Sequence, residues 1–187
     1  RARRSPTRHE THGVVRVDDF YWLRERESTE VIDYLHAENA YTDAVMAQTE
    51  GLQETLFEEI KGRIKQTDMS VPYREGDFTY YRRYEDDHEY PIYCRRLEPV
   101  GLEEVLLDVN ELAEGRDFCQ VSGREVSPDQ QLLAYATDFE GRRIHTIRVK
   151  NLVTGAHLDD ALNGVTSNLV WANDSRTLFY AHQDPTT

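Results

Sequence analysis

The sequence has no hydrophobic run long enough to span a membrane. A transmembrane helix needs about 18 consecutive apolar residues, and charged residues, which make up 30% of the chain, interrupt every apolar stretch well before that length. No apolar segment follows the N-terminal arginines, as it would in a secretory signal. We therefore expect a cytoplasmic protein that has no membrane partner.

Basic residues and cysteines are also scarce. The chain carries 22 Lys and Arg against 35 Asp and Glu, a formal net charge of −13, whereas nucleic-acid-binding proteins usually present a basic face. We expect no nucleic-acid partner. The two cysteines, Cys94 and Cys119, lack the CxxC spacing of a zinc site. They are predicted to be buried, reduced thiols, and no metal or other cofactor is expected.

Catalytic motifs are missing as well. A serine hydrolase places its nucleophile in a G-x-S-x-G elbow, and the nearest stretch, QVSGRE around Ser122, lacks the glycine two positions before the serine. No glycine-rich phosphate loop is present, and the histidines, apart from His9 and His12 in a terminal arm, are scattered singly. We predict no catalytic residue in this chain, so the chain alone should be inactive.

The N-terminal third has a helical pattern. Residues 1–27 show no sustained hydrophobic period and predict an extended arm. After Ser28, a residue type that caps helices, apolar residues recur at helical spacing and predict a helix over residues 29–48. Leu52, Leu56, Ile60 and Ile64 then repeat every fourth residue, which predicts a second helix or a continuation of the first. Residues 1–70 are thus predicted to form an arm and a helical segment.

Residues 71–187 have the pattern of antiparallel β-structure. DFTYYRRY (77–84) and EYPIYCRRL (89–97) are rich in β-preferring aromatics and are joined by the charged turn EDDHE. Further short apolar segments follow, separated by turn dipeptides such as Pro-Asp and Thr-Gly. The fold class is therefore mostly β with an N-terminal helical segment.

Two of the β segments resemble each other. SPDQQLLAYATD and ANDSRTLFYAHQ align with Asp129 matching Asp174 and Tyr135 matching Tyr180, a separation of 45 positions, from 129 to 174. A β repeat of that length is typical of propeller blades. Residues 71–187 have room for two blades and the start of a third, so the chain is predicted to be a fragment of a propeller. A small β-sandwich with an accidental turn similarity is the alternative.

The order of these segments resembles one family. DDFYWLR (18–24), VIDYLHAENAYTDAVM (31–46), DFEGRRIHTIRVKNLVTG (138–155) and VWANDSRTLFY (170–180) resemble the N-terminal part of the prolyl oligopeptidase family of serine peptidases, and within it the oligopeptidase B branch. The resemblance implies the first blades of a seven-bladed propeller above an α/β-hydrolase domain that this chain does not include. It also implies hydrolysis of short peptides after Arg or Lys, with a Ser-Asp-His triad in the missing domain and the propeller limiting access.

The resemblance also implies contact residues. The D-F-x-x-R-R stretch of the branch is matched here by Asp138, Phe139, Arg142 and Arg143. It implies that Arg143, with Arg142 beside it, contacts the hydrolase domain near bound substrate. Alternatively, both arginines are ordinary turn residues.

Two further positions belong to the same implied contact. Ser70, in MSVPY, matches a serine of the family that is linked to the closed state. The acidic residue that would complete the set falls near Asp160 or at Asn163, and an asparagine there would weaken an ion pair.

The three adjacent aromatics Phe20, Tyr21 and Trp22 also need a burying surface. The resemblance implies that residues 1–70 pack on the hydrolase domain, with these rings in one of its grooves. Alternatively, they cover the rim of the propeller itself.

Two functions of different class remain open. One is the gating region of a serine oligopeptidase whose partners are its own hydrolase domain and peptides containing Arg or Lys. The other is a non-catalytic β-propeller binding module.

Overall fold

The computed structural model describes residues 1–184, and they fall into two compact units. The first is Arg1–Ile64 and the second begins at Lys65. The division lies six residues before the predicted boundary at residue 70, because Lys65 to Ser70 belong with the β-structure, where Met69 bridges to Arg83.

The first unit begins with a β-hairpin, so the prediction of an extended arm over residues 1–27 was wrong. β1 (Thr7–Thr11) pairs antiparallel with β2 (Val14–Asp18). His12 and Gly13 form the two-residue turn, and both have positive φ, as a primed hairpin turn requires. Sequence reasoning missed the hairpin because TRHET contains no apolar residue and the alternation in VVRVD spans only four residues, from Val15 to Asp18.

Helices make up the rest of the first unit. A 3-10 helix covers Tyr21–Arg24. α1 (Thr29–Met46) and α2 (Glu50–Gly62) are joined by a 3-10 turn over Ala47–Thr49. The second helical series is therefore a near-continuation of the first. Ser28 is the N-cap residue of α1 as predicted, although its side chain makes no capping hydrogen bond.

The second unit begins with a four-stranded antiparallel sheet in chain order. Its strands are β3 (Tyr73–Glu75), β4 (Phe78–Arg83), β5 (Ile92–Leu97) and β6 (Glu103–Asp108). β5 begins directly after Pro91, which has no N–H for a ladder. The short helix α3 (Val109–Ala113) follows, and Asp108 caps it by accepting the Asn110 N–H (2.8 Å).

A five-stranded antiparallel sheet completes the second unit. Its strands are β7 (Gln120–Val126), β8 (Leu132–Asp138), β9 (His145–Asn151), β10 (His157–Trp171) and β11 (Leu178–His182). β10 is long enough to pair twice: its first half lies against β9 and its second half against β11, with Val165 paired to both. β7, β8, β9 and the first half of β10 thus form one four-stranded blade. The second half of β10 and β11 form the first two strands of the next blade.

The two sheets pack face to face, and the core lies between them. Its buried members come from β4, β6 and β8: Tyr80, Leu106, Leu107, Leu133 and Tyr135. Polar links cross the same interface, where Arg95 donates to the carbonyl of Gln130 (2.9 Å) and Lys150 donates to that of Leu106 (2.9 Å).

The predicted repeat corresponds to equivalent turns. Asp129 lies between β7 and β8 and accepts the Gln131 N–H (3.2 Å), while Asp174 lies between β10 and β11 and accepts the Arg176 N–H (2.9 Å). Each turn joins the first and second strands of its blade. The predicted fold class, mostly β with an N-terminal helical segment and repeated blades, is confirmed.

Candidate functional site

The candidate site lies at the edge of the second sheet opposite the Asp129 and Asp174 turns. Here β7 begins, β8 ends, β9 begins and β11 ends, as the pairs Gln120↔Asp138 and Val165↔His182 show. We call this edge the loop rim. The segment between β8 and β9, which carries the predicted Arg142 and Arg143, lies on it.

Asp138 shapes that segment from within. It is only 1% exposed, and its carboxylate accepts three backbone N–H groups, from Glu140 (2.8 Å), Gly141 (2.9 Å) and Arg143 (2.6 Å). Burial by itself raises the pKa of Asp138, but these hydrogen bonds outweigh burial and the net pKa is lowered. Asp138 is therefore an ionised scaffold for the loop.

The two arginines differ in their surroundings. Arg142 is exposed and its side chain lies 3.8 Å from the Glu140 carboxylate. Arg143 has a φ of 60°, and its carbonyl accepts the Gln183 side-chain N–H (3.1 Å). Its guanidinium takes part in none of the ion pairs found within residues 1–184. Arg143 is thus held by its backbone while its charge is left for another partner.

Arg143 lines a cavity of about 330 Å³ in the loop rim, which we call the rim cavity. His145 also lines it, and the other lining residues are neutral and polar: Gln120, Ser122, Thr166, Ser167 and Gln183. His145 is 5% exposed, yet neither ring nitrogen has a hydrogen-bond partner among the described residues. Buried polar groups are normally paired, so this histidine is unusual.

Ser70 does not line the rim cavity. It lines a different one, of about 460 Å³, beside Tyr73 and Arg124. Its N–H donates to the Arg82 carbonyl (2.9 Å) and its hydroxyl accepts the Arg82 N–H (3.0 Å). The structure therefore does not bring Ser70 and Arg143 into one cavity, and the hydroxyl of Ser70 already stabilises the start of the first sheet.

Two positions, Asp160 and Asn163, were predicted to supply an acidic partner for Arg143, and Asn163 carries an uncharged amide instead of a carboxylate. Asn163 accepts a hydrogen bond from the Thr146 hydroxyl (2.9 Å), next to the start of β9. Asp160 is exposed on β10. Neither forms an ion pair with Arg143.

The three aromatics of the first unit are not equivalent. Trp22 donates its indole N–H to the Arg3 carbonyl (2.9 Å) and packs edge-on against Tyr34 of α1. Tyr21 contacts the ring of His9 in β1. Phe20 stays exposed. Two of the three rings are thus partly covered by their own unit, and Phe20 is the ring most available for a second surface.

Helix α2 presents an exposed apolar face that sequence reasoning identified only as a helical period. Its members are Leu52, Leu56, Phe57, Ile60 and the adjacent Ile64, whose exposed fractions lie between 45% and 63%. We call this the α2 face. Exposed apolar residues that repeat along one helix face form the kind of surface that interaction sites use.

Other chemistry is sparse in the described part of the chain. Cys94 and Cys119 are buried and unpaired, as predicted, and burial raises the pKa of Cys94 to about 11, with the Glu103 charge contributing. Residues 1–184 contain no group of three or more His, Cys, Asp or Glu placed to hold a metal ion. None of the helices within that range is long and apolar enough to cross a bilayer.

His145 and the rim cavity were missed by sequence reasoning. A lone histidine at the start of a strand gives no signal, since its burial and its lack of partners depend on β10 and on the loop after β8. The one available hint was its place two residues after the D-F-x-x-R-R stretch.

Comparison with protein families gives a match over the whole chain. Residues 1–187 match the model described as prolyl oligopeptidase, N-terminal β-propeller domain. Among characterised proteins, the chain is 48% identical to dipeptidyl aminopeptidase BI of Pseudoxanthomonas mexicana, over 94% of this chain and 27% of that protein. It is 38% identical to protease 2 of Moraxella lacunata, over 98% of this chain and 28% of that protein.

Solved structures show the same fold. Oligopeptidase B from Leishmania major matches with a TM-score of 0.88 and 30% identity, over 98% of this chain and 29% of that one. Oligopeptidase B from Trypanosoma brucei, in a closed form with covalently bound antipain, matches with a TM-score of 0.84 and 30% identity, over 98% of this chain and 28% of that one. The chain thus spans less than a third of the relatives it matches.

Proposed function

Because this chain belongs to the prolyl oligopeptidase family, as part of its N-terminal β-propeller domain, we propose that it is the gating region of a serine oligopeptidase. The full-length protein hydrolyses short peptides after Arg or Lys in a separate α/β-hydrolase domain, and the propeller limits access to that domain. The observation that carries the proposal is the family match over all 187 residues, joined to the structural likeness to two oligopeptidases B.

The preference for Arg or Lys rests on the resemblance of the sequence motifs to the oligopeptidase B branch, and the charge of the chain agrees with it. Protease 2 and oligopeptidase B are among the similar proteins. The chain itself has a formal net charge of −13, and a cavity whose walls carry one sign of charge concentrates ligands of the opposite sign. A cytoplasmic location stays a prediction.

The loop rim supplies the contact between propeller and hydrolase domain. Arg143 has an exposed guanidinium with no ion pair within residues 1–184, while three hydrogen bonds to Asp138 hold its loop. A preorganised cation of this kind suits a contact that forms on closure and breaks on opening. Arg142 lies beside it and Ser70 stabilises the neighbouring sheet, so we assign Arg143 the direct contact and the other two a supporting role.

The first unit is the fixed attachment to the hydrolase domain. The α2 face is apolar and exposed, and Phe20 adds an exposed ring on the segment that precedes α1. The similar proteins are more than three times as long as this chain, so their remaining length supplies the surface that would cover it. Burying apolar area stabilises such an interface by about 25 cal/mol per Å².

The test is hydrolysis of a fluorogenic peptide amide ending in arginine, by the full-length protein and by this chain alone. We expect activity only in the full-length protein, at least tenfold lower activity on the same peptide ending in alanine, and no cleavage of a folded protein that contains exposed arginines. Hydrolysis of the folded protein at a rate comparable with the peptide would contradict the gating role. Absence of hydrolysis in a folded full-length protein would leave the non-catalytic binding module instead.

A second candidate is release of dipeptides from peptide N-termini, which the name of the 48% identical relative favours. An aminopeptidase of that kind needs a free α-amino group. Matched peptides with a free or an acetylated N-terminus distinguish the two functions, because acetylation should abolish release of dipeptides and leave cleavage after an internal arginine intact.

A further inference from the structure

The rim cavity contains an unpaired buried histidine and a cation. His145 is 95% buried and neither of its ring nitrogens has a partner among residues 1–184. Leaving a buried polar group without a hydrogen bond is costly. A ligand that pairs with the imidazole would remove that cost, so the cavity is suited to polar binding.

The charge of the cavity points to an anion. Arg143 is the one lining residue with a full charge within the described chain. The nearby carboxylate of Asp138 does not line the cavity, and it is occupied by three backbone N–H groups, including that of Arg143 itself. The positive charge of the guanidinium is therefore not neutralised inside the cavity, in a chain whose overall charge is strongly negative.

The remaining walls provide both donors and acceptors. Ser122 and Ser167, which carry hydroxyls, and Gln120 and Gln183, which carry amides, line the cavity together with Arg143, and the Gln183 amide donates to the Arg143 carbonyl. A carboxylate alone needs only donors, whereas the end of a peptide presents a carboxylate together with a peptide N–H that needs an acceptor. The mixed lining matches the peptide end better than it matches an isolated acidic side chain.

The size and rigidity of the cavity agree with a small ligand. Its volume of about 330 Å³ lies at the lower end of the range of about 300–1,000 Å³ for small-molecule pockets. Its walls come from fixed elements, because β7 and β10 approach so closely that a Cβ on Gly123 would lie 1.9 Å from the Ser167 carbonyl oxygen. Prearranged walls lower the ordering cost of binding.

From these observations, we propose that the rim cavity binds the C-terminal carboxylate of short peptides, with Arg143 and His145 as its direct contacts. This rests on the proposed function, since it names how that peptidase recognises short substrates. A subsite for the chain end selects peptides by length, because only a peptide of limited length reaches both this cavity and the catalytic centre.

The test compares two arginine-containing hexapeptides that differ only at the C-terminus, one a free acid and one an amide. The full-length protein should hydrolyse the acid with a kcat/KM at least about tenfold higher, the effect of one charge-assisted hydrogen bond, and the difference should lie in KM. His145→Phe, which keeps a buried ring, and Arg143→Gln should each move the ratio of acid to amide towards one. Arg176→Gln, a loss of the same charge in the opposite turn, should leave the ratio at its wild-type value.

Three controls keep the inference separate from the proposed function. If no peptide is hydrolysed, direct calorimetric titration of the same acid and amide measures the preference without catalysis. If His145→Phe does not fold, as its thermal unfolding would show, Ser122→Ala replaces it and should also lower the ratio. Equal hydrolysis or equal binding of acid and amide by the wild-type protein would overturn the inference, and would leave Arg143 only its proposed contact with the hydrolase domain.

Discussion

The two units of the chain bury their apolar residues to very different extents. Among residues 1–184, Val31 is the one apolar residue of the first unit that is buried, whereas the second unit buries Tyr80, Leu133, Tyr135 and Ile147 among others. The first unit instead exposes the α2 face and Phe20. A two-helix segment with this composition has little core of its own, since most helical stability in proteins comes from packing of an apolar face.

This contrast separates two uses of apolar residues. In the second unit they hold two sheets together within the chain. In the first unit they lie on an exposed helix, and we propose that they stabilise a complex with the hydrolase domain. The following substitutions test whether that distinction is correct.

The largest effect is expected from a matched pair of leucines. Leu133→Ala, at a side chain that is 2% exposed between the sheets, should lower the free energy of unfolding of the second unit by about 2–5 kcal/mol. Leu56→Ala, on the α2 face and 45% exposed, should change the free energy of unfolding of the first unit by less than about 0.5 kcal/mol. Urea denaturation of this chain measures both.

The same pair behaves differently if the hydrolase domain covers the α2 face. In the full-length protein Leu56→Ala should then cost more than about 1 kcal/mol, because a buried leucine is truncated. An equally small cost in the chain and in the full-length protein would show that the face stays exposed.

A matched pair of glycines gives the next effect. Gly123 has a φ of +54°, and a Cβ there would collide with the Ser167 carbonyl, so Gly123→Ala should cost roughly 3 kcal/mol from overpacking and backbone strain together. Gly13 in the hairpin turn has a φ of +76° but no atom within 4 Å of that position. Gly13→Ala should therefore cost only about 1 kcal/mol of strain. Thermal unfolding followed by circular dichroism measures both costs. Similar costs for Gly123→Ala and Gly13→Ala would show that β7 and β10 do not approach closely.

The smallest expected effect comes from two aspartates in comparable turns. Asp138→Asn should lower the free energy of unfolding by about 1–3 kcal/mol at pH 7, and Asp18→Asn, where one oxygen accepts the Phe20 N–H at an exposed turn, by less than about 1 kcal/mol.

The Asp138 effect should depend on pH. Its pKa is lowered in the folded state, so its contribution is complete above the unfolded pKa of about 3.9 and is lost as pH falls through the lower folded pKa. The difference between wild type and Asp138→Asn should therefore shrink below about pH 4. A difference that stays constant from pH 7 to pH 3 would show that the carboxylate charge does not hold the loop.

Periodicity was sufficient to predict the elements that bury a regular pattern. β4, β5 and β8 and the long helix α1 follow their hydrophobic periods, and the 45-residue repeat located equivalent turns at Asp129 and Asp174. The hairpin of β1 and β2 escaped because TRHET contains no apolar residue and the valines of VVRVD fall on both faces of a largely exposed strand. The sharing of β10 between two blades also escaped, since the sequence pattern of a strand does not show where its pairing changes from one neighbouring strand, β9, to another, β11.

The site was less predictable than the fold. The resemblance indicated Arg143 and Arg142, and the structure adds why the loop holds its shape: three N–H groups converge on Asp138. His145 could not be identified, because its environment is assembled from β7, β9 and β10, which are distant in sequence. Ser70 was predicted with Arg143, yet the two line different cavities.

The double pairing of β10 also bears on how such a ring can be inherited. The repeat spans 45 positions from Asp129 to Asp174, about one blade's length, but β10 ends one blade and begins the next without a break. The piece between the Asp129 and Asp174 turns contains β8, β9 and β10. It therefore holds the closing strands of one blade and the opening strand of the next. A duplicated copy of this repeat would therefore complete its hydrogen bonding only by interlocking with its neighbours, and not as a finished block.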